Sequence, residues 1–218
     1  MSFQIARATL GPYDTNAYLL IDGDTKHCAL VDTPPGAAET LRPEIERRGL
    51  TLDALLLTHG HWDHIADAHA FAGDGVKIYA HRADIACYET PERFAPWYMA
   101  SVPGLTEEDF QPVQVTDWVD EGDTFTLLGE TFEVRHVPGH CPGNVLFYCP
   151  QRELAFPGDA IFAGSVGRSD LPGGDWKQLE TSIRGRIYTL PAPTVLYPGH
   201  GEPTSVRDEK ESNPYVRE

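Results

Sequence analysis

Apolar residues recur along this chain in two periods, and the switches between them predict the order of its elements. Phe3 to Leu10, Ala17 to Ile21 and Cys28 to Val31 are short apolar runs separated by turn formers, so they predict three opening strands, with Asp22-Gly23-Asp24 as a hairpin connection. Between Gly36 and Arg48 the apolar positions Ala37, Leu41 and Ile45 move to a fourfold spacing, which predicts an amphipathic helix ended at Gly49. Leu52 to Leu57 is an unbroken apolar run of strand length, Ile65 to Phe71 reads as a short helix, and Lys77 to Ala80 reads as the next strand. Strand, helix, strand in that order predicts a parallel pairing.

Later the short period returns. Thr124 to Leu128 and Thr131 to His136 flank Gly129-Glu130 as a hairpin, and Val145 to Cys149 and Glu153 to Phe156 flank the turn Pro150-Gln151-Arg152. Asp175 to Tyr188 places Trp176, Leu179, Ile183 and Ile187 on one helical face, and Thr194 to Tyr197 predicts a last strand. Tyr88 to Gly104, with Phe94, Trp97, Tyr98 and Met99 among prolines, follows neither period. It reads either as the lining of a substrate groove or as a packed surface crossover.

At 218 residues the chain can bury one sizeable core, and without a linker-like stretch or repeat it reads as a single domain over residues 1–218. Its 33 Asp and Glu against 17 Lys and Arg give a formal charge of −16, which argues against a nucleic-acid partner and leaves a small-molecule substrate as the expectation. Met1 to Arg7 lacks the basic and apolar regions of a secretory leader, and no apolar run reaches the about 18 residues of a membrane span. A cytoplasmic location without membrane contact is expected. The cysteines Cys28, Cys87, Cys141 and Cys149 have neither C-x-x-C nor framework spacing, which predicts reduced thiols.

Chemistry concentrates in Thr58-His59-Gly60-His61-Trp62-Asp63-His64, directly after the Leu52 to Leu57 strand. Four imidazole or carboxylate groups this close do not pack as ordinary core, and as nitrogen and oxygen donors they suit zinc, iron or manganese. His140 follows the first of the later strand pairs, Asp159 the second, and Thr194 to Tyr197 delivers His200, so all can converge on one edge. Cys141, directly after His140, reads as a packed thiol ahead of a ligand or a reactive group. His69, His81 and His136 fall outside these runs and read as packing, surface or strand residues.

The H-x-H-x-D-H spacing of residues 59–64 is followed, in order, by Pro138-Gly139-His140-Cys141-Pro142-Gly143, Phe156-Pro157-Gly158-Asp159 and Tyr197-Pro198-Gly199-His200-Gly201. Together these resemble the motifs of the metallo-β-lactamase superfamily over nearly the whole chain. The resemblance implies an α/β fold, a single-domain four-layer αββα sandwich. It also implies two divalent ions, zinc first with iron or manganese open. His59, His61 and His140 would hold one, Asp63, His64 and His200 the second, with Asp159 bridging. Asp63 and Asp159 are the implied catalytic carboxylates, and a metal-bridging hydroxide the implied nucleophile. An Asp at the place of Asp32 often supports the metal loop in this superfamily; a capping or turn aspartate is the other reading.

Phe162 to Asp175 resembles the corresponding stretch of short bacterial glyoxalase II-like hydrolases, which implies a thioester substrate of the S-2-hydroxyacylglutathione kind. Arg168 within it either holds the loop or meets a substrate carboxylate. Asn144 stands where many relatives carry a second His, and the chain ends soon after His200 without the glutathione-binding domain of the longer enzymes, so glutathione stays open as part of the substrate. The alternatives are a lactonase-type hydrolase of the same superfamily and a persulfide (sulfur) dioxygenase with one iron on His59, His140 and Asp159. The pairing of His64 with Asp159 disfavours a β-lactamase, and seven filled donor positions disfavour a non-catalytic binding domain.

Overall fold

The computed structural model describes residues 3–217; Met1 and Ser2, which begin the expected domain and the segment expected to lack a leader, and Glu218, which ends that expected domain, lie outside the described residues. The first half runs β1 (Phe3–Leu10), β2 (Thr15–Asp22), β3 (His27–Val31), α1 (Ala37–Arg48), β4 (Thr51–Leu56), α2 (Trp62–Ile65), α3 (Ala68–Phe71), β5 (Lys77–His81), α4 (Ile85–Glu89), α5 (Ala95–Ser101) and β6 (Asp117–Val119). The second half follows with β7 (Thr124–Leu127), β8 (Glu130–His136), β9 (Val145–Cys149), β10 (Leu154–Phe156), β11 (Ile161–Phe162), β12 (Ser165–Val166), α6 (Trp176–Ser182), β13 (Val195–Leu196), β14 (Thr204–Ser205) and α7 (Val206–Ser212).

Two six-stranded sheets result, in the orders β1-β2-β3-β4-β5-β6 and β14-β13-β10-β9-β8-β7, and β11 pairs with β12 apart from them. The opening meander is antiparallel, and β3, β4 and β5 pair in parallel as the strand, helix, strand order requires.

Because successive strand residues point to opposite faces, each central strand feeds two cores. Leu19, Leu30 and Leu55 join Leu41 and Ile45 of α1 in one, while Leu20, Ala29 and Leu56 meet Phe132, Val134 and Phe147 of the opposite sheet in another. Leu146, Tyr148 and Leu196 face Leu179 and Ile183 in a third. Helix on sheet, sheet on sheet and sheet on helix make the single-domain αββα sandwich, and apolar residues on both faces explain why its strands read as continuous runs.

Four local expectations are corrected. Tyr88 to Gly104 is helical, not irregular: α4, a 3₁₀ turn at Pro91–Arg93, and α5. Pro91 and Pro96 lie in first turns, where no intrahelical N–H is lost, so they start helices instead of breaking them. The hairpin turns on Leu128 and Gly129, with φ of 52° and 75°, and Glu130 already pairs with Leu127 in the ladder. A tight turn of this hand needs two positive φ values in succession, which overrode the polarity of Glu130.

The helix expected over Ile65 to Phe71 is split into α2 and α3 and starts inside the histidine run. Trp176, expected on the buried face of its helix, sits in the first turn of α6, capped by Asp175, and is 41% exposed. The helix continues as a π turn over Ile183–Ile187, and the two pack through Leu179, Ile183 and Ile187.

Candidate metal centre

The histidines and aspartates singled out in the sequence come together at one edge of the sandwich. His59 and His61 lie on the loop after β4, Asp63 and His64 on the single turn α2, His140 after β8, Asp159 after β10 and His200 after β13. Each stands where a strand ends, so the rigid sheets place the donors. Loop-to-loop hydrogen bonds tie these ends together: Val145 N–H to Thr58 O at 2.8 Å, Gly199 N–H to Gly158 O at 3.0 Å, and Asn16 N–H to Gly199 O at 2.7 Å. Gly199 is required here, since a Cβ would overlap both Asp159 Oδ1 and the His64 ring.

Four of the five imidazoles have one ring nitrogen committed outward. His140 Nδ1–H donates to Arg168 O at 2.7 Å and His200 Nδ1–H to Tyr13 O at 3.0 Å, carbonyls that can only accept. His64 Nδ1–H donates to Asp32 Oδ2 at 2.8 Å. Thr58 gives its own hydroxyl proton to Asp32 at 2.7 Å, so it accepts from His59 Nδ1–H at 3.1 Å. In the neutral rings the inward Nε2 atoms are therefore bare lone pairs.

His61 Nδ1 points to the same place, 3.1 Å from His59 Nε2 and 2.8 Å from His140 Nε2, where a single proton cannot serve three nitrogens. On the other side His64 Nε2 and Asp159 Oδ1, both buried and without a hydrogen bond, face each other at 3.4 Å. Converging lone pairs and an orphaned buried carboxylate oxygen fit a cation.

The electrostatics divide the site in two. Burial, then the neighbouring imidazoles, push His59 well below its usual pKa and His61 down to about 3, so both stay neutral as ligands must. Burial also opposes charge on His64 and His200, but Asp159 and Asp63 outweigh it, lifting His64 well above its usual range and His200 to about 10. Asp63, despite burial, is held at about 2 by His64 and His200. The second half thus draws positive charge.

Asp159 lies between the halves. Its Oδ2 is 3.3 Å from His200 Nε2 and 3.6 Å from His140 Nε2. Within this cluster three groupings have donor atoms close enough to share an ion: His59, His61 and His140; His59, His64 and Asp159; and Asp63, His64 and His200.

Asp32 does what the resemblance implied and no capping. Held at φ 57°, it accepts Thr58 N–H at 2.8 Å, the Thr58 hydroxyl and His64 Nδ1–H. Asn144 also has a definite role: its Nδ2–H donates to Pro157 O at 3.0 Å and its Oδ1 accepts Asp159 N–H at 3.2 Å, fixing the loop that carries Asp159. Arg168 contributes its backbone carbonyl to His140, while its guanidinium pairs with Asp170 at 2.8 Å in half-exposed surroundings.

Two residues were missed in the sequence. Thr15 donates its hydroxyl to Asp63 Oδ2 at 2.8 Å. Asp84, after β5, is buried and accepts Gly60 N–H at 2.9 Å, Gly143 N–H at 2.8 Å and the Cys141 thiol at 3.3 Å, so it clamps two ligand loops together. The available signal was its place, an acid just past a strand end like Asp32 and Asp159. Cys141 is a packed thiol, as expected.

His69 Nδ1–H donates to Ala66 O at 3.0 Å, away from the donors. His81 stacks on His136 at 4.0 Å, and with Asp120 they form a further grouping by distance alone. There His81 Nδ1 accepts Ala83 N–H, which leaves a proton on Nε2 facing Asp120, and His136 Nε2–H is spent on Pro142 O. Lone pairs do not converge.

The profile of the metallo-beta-lactamase superfamily matches residues 10–200. A hydroxyacylglutathione hydrolase, GloC, of Haemophilus influenzae is 36% identical over 207 residues, covering 94% of this chain and 93% of its own. Among solved structures, BLEG-1, a B3 metallo-beta-lactamase, superposes with a TM-score of 0.84 at 34% identity, covering 98% of this chain and 99% of its own. TTHA1623 in a di-iron-bound form superposes at 0.80 with 38% identity, covering 97% and 100%.

Proposed function

The chain belongs to the metallo-beta-lactamase superfamily, and from that membership we propose that it is a dinuclear-metal hydrolase of thioesters, of the S-2-hydroxyacylglutathione kind. The placement of Asp159 between two sets of inward lone pairs carries the reading. His59, His61 and His140 would hold one ion and Asp63, His64 and His200 the other, with the Asp159 carboxylate offsetting their repulsion. Zinc is the proposed metal; iron and manganese accept the same donors.

Ions bound there supply an acidified water and an electrophile for the substrate carbonyl. The chain's own part is orientation. Thr58, Asp32, Arg168 O and Tyr13 O aim four imidazoles, Thr15 fixes Asp63, and Asn144 fixes the Asp159 loop. A thiolate leaves without a proton, since thiol pKa values lie near about 8.5, so hydrolysis of a thioester requires no general acid from the protein.

The substrate is a small molecule rather than nucleic acid: a cavity of about 490 Å³ lies over the donors, with Tyr13, Ser101, Phe162 and Arg168 in its wall, and the chain is strongly acidic. Among the described residues no helix is long and apolar enough to cross a membrane, and a cytoplasmic site of action is part of the proposal.

The test is an assay of metal-loaded protein on S-lactoylglutathione and glutathione persulfide with dissolved oxygen recorded. Thiol release without oxygen uptake, with about two metals per chain, is expected. Oxygen uptake coupled to persulfide loss, with a single iron, overturns hydrolysis in favour of a dioxygenase. Cleavage of lactones or β-lactams with no thioester turnover keeps the hydrolase and refutes the thioester.

A further inference from the structure

A second cavity, of about 260 Å³, opens beside the donors and differs in character from the one above them. Its walls are Trp62, Phe94, Trp97, Tyr98, Phe110 and Leu171, and it shares His61, Trp97, Tyr98 and Leu171 with the cavity over the donors, so one bound molecule can reach both.

Apart from His61 and the exposed Arg93, the polar side chains in its lining are already engaged. Trp62 Nε1–H donates to Asp109 O at 3.0 Å, Tyr98 Oη accepts Trp62 N–H at 3.1 Å, and the Asp84 carboxylate is taken by Gly60 and Gly143. The thiols of Cys87 and Cys141 in its lining pack as small, weakly polar groups. Phe94 and Trp97 remain 38% and 47% exposed, an arrangement that leaves aromatic surface uncovered at the mouth of a catalytic cleft.

We infer that this side cavity is a specificity pocket for an aromatic or branched aliphatic group carried on one side of the scissile thioester. A lactoyl group has nothing larger than a methyl to place there, whereas an apolar cavity of about 150 Å³ already accommodates a benzene ring. The inference rests on the thioester reading for its chemistry, and on the cavity alone for its apolar ligand. Burial of the ring, realised while the carbonyl sits over the donors, favours such substrates over S-lactoylglutathione, which carries no ring.

The experiment has three arms on the metal-loaded enzyme. S-phenyllactoylglutathione carries the ring on the acyl side, the lactoyl thioester of benzyl mercaptan carries it on the thiol side, and S-lactoylglutathione carries none. One ringed arm is expected to exceed the plain one in kcat/KM by at least about tenfold, and Phe94→Ala to reduce that ratio severalfold.

Independently of turnover, 4-nitrobenzyl alcohol is expected to quench Trp62 and Trp97 fluorescence saturably, with weaker binding in Phe94→Ala. If no thioester is cleaved but quenching saturates and weakens in the variant, the pocket stands and the thioester reading falls. Hydrolysis with no preference for a ring, a preference that Phe94→Ala leaves intact, or quenching without saturation overturns the pocket.

Discussion

At the strand ends, His59, His64, His140 and His200 are each anchored through a second nitrogen, three of them to acceptors on a different loop, and the loops are fastened to one another through Asp32, Asp84 and Asn144. On the wall formed by α5 and the residue before it the side chains lining the apolar cavity are held by much less: Phe94 and Trp97 are more than a third exposed, at the start of and within a helix of two turns. The difference teaches where each kind of constraint is needed. Ligand geometry tolerates little displacement, so four of the five imidazoles are fixed by a second hydrogen bond, while an apolar pocket asks only for surface of about the right shape. In the proposed reading, one region sets which chemistry is possible and the other which substrate meets it.

That contrast can be broken most severely at its centre. Asp159→Ala removes the carboxylate between the two donor sets and is expected to lower kcat/KM by at least about 100-fold, with metal content falling in parallel. Elemental analysis beside the assay decides it, and a variant that keeps both metals and its rate refutes the bridge.

A milder break is Asp84→Asn, whose single remaining carbonyl oxygen cannot serve both Gly60 and Gly143 N–H groups. Chelator competition is expected to show about tenfold weaker binding of the ion on His59, His61 and His140, and thermal unfolding a loss of about 1–3 kcal/mol. Lost stability with unchanged metal affinity would reduce Asp84 to packing.

On the wall, Phe94→Ala is expected to alter stability by no more than about 0.5 kcal/mol and to leave metal content unchanged. A large drop in melting temperature or metal occupancy there would erase the distinction between the two regions.

The central strands were legible because both of their faces are buried, so Leu52 to Leu57 and Val145 to Cys149 stand out as apolar runs without any knowledge of partners. α1 was legible because only one of its faces is buried. The short edge strands β6 and β14 carry too few residues for a period, and α4 and α5 were hidden by prolines that start helices as readily as they end them.

The site was legible to the extent that chemistry is concentrated: three histidines and an aspartate between residues 59 and 64 have no bland explanation, and His140, Asp159 and His200 each follow a strand in a recognisable loop. Asp84 and Thr15 were not legible, because a carboxylate or hydroxyl that works through backbone N–H groups or another side chain looks, in sequence, like any polar residue at the end of a strand.

The sequence by itself thus determined the central strands and the first helix, through which residues must leave water, and the donor set, through residue types that no core accepts unpaired; the layer order was what the family resemblance implied. Tertiary structure alone decided which nitrogen of each imidazole faces inward, that Asp159 lies between two groups, and that the 85–101 helices wall an apolar cavity beside His61. Each of these depends on distances between segments far apart in the chain, and periodicity along a chain carries no information about them until the sheets have packed.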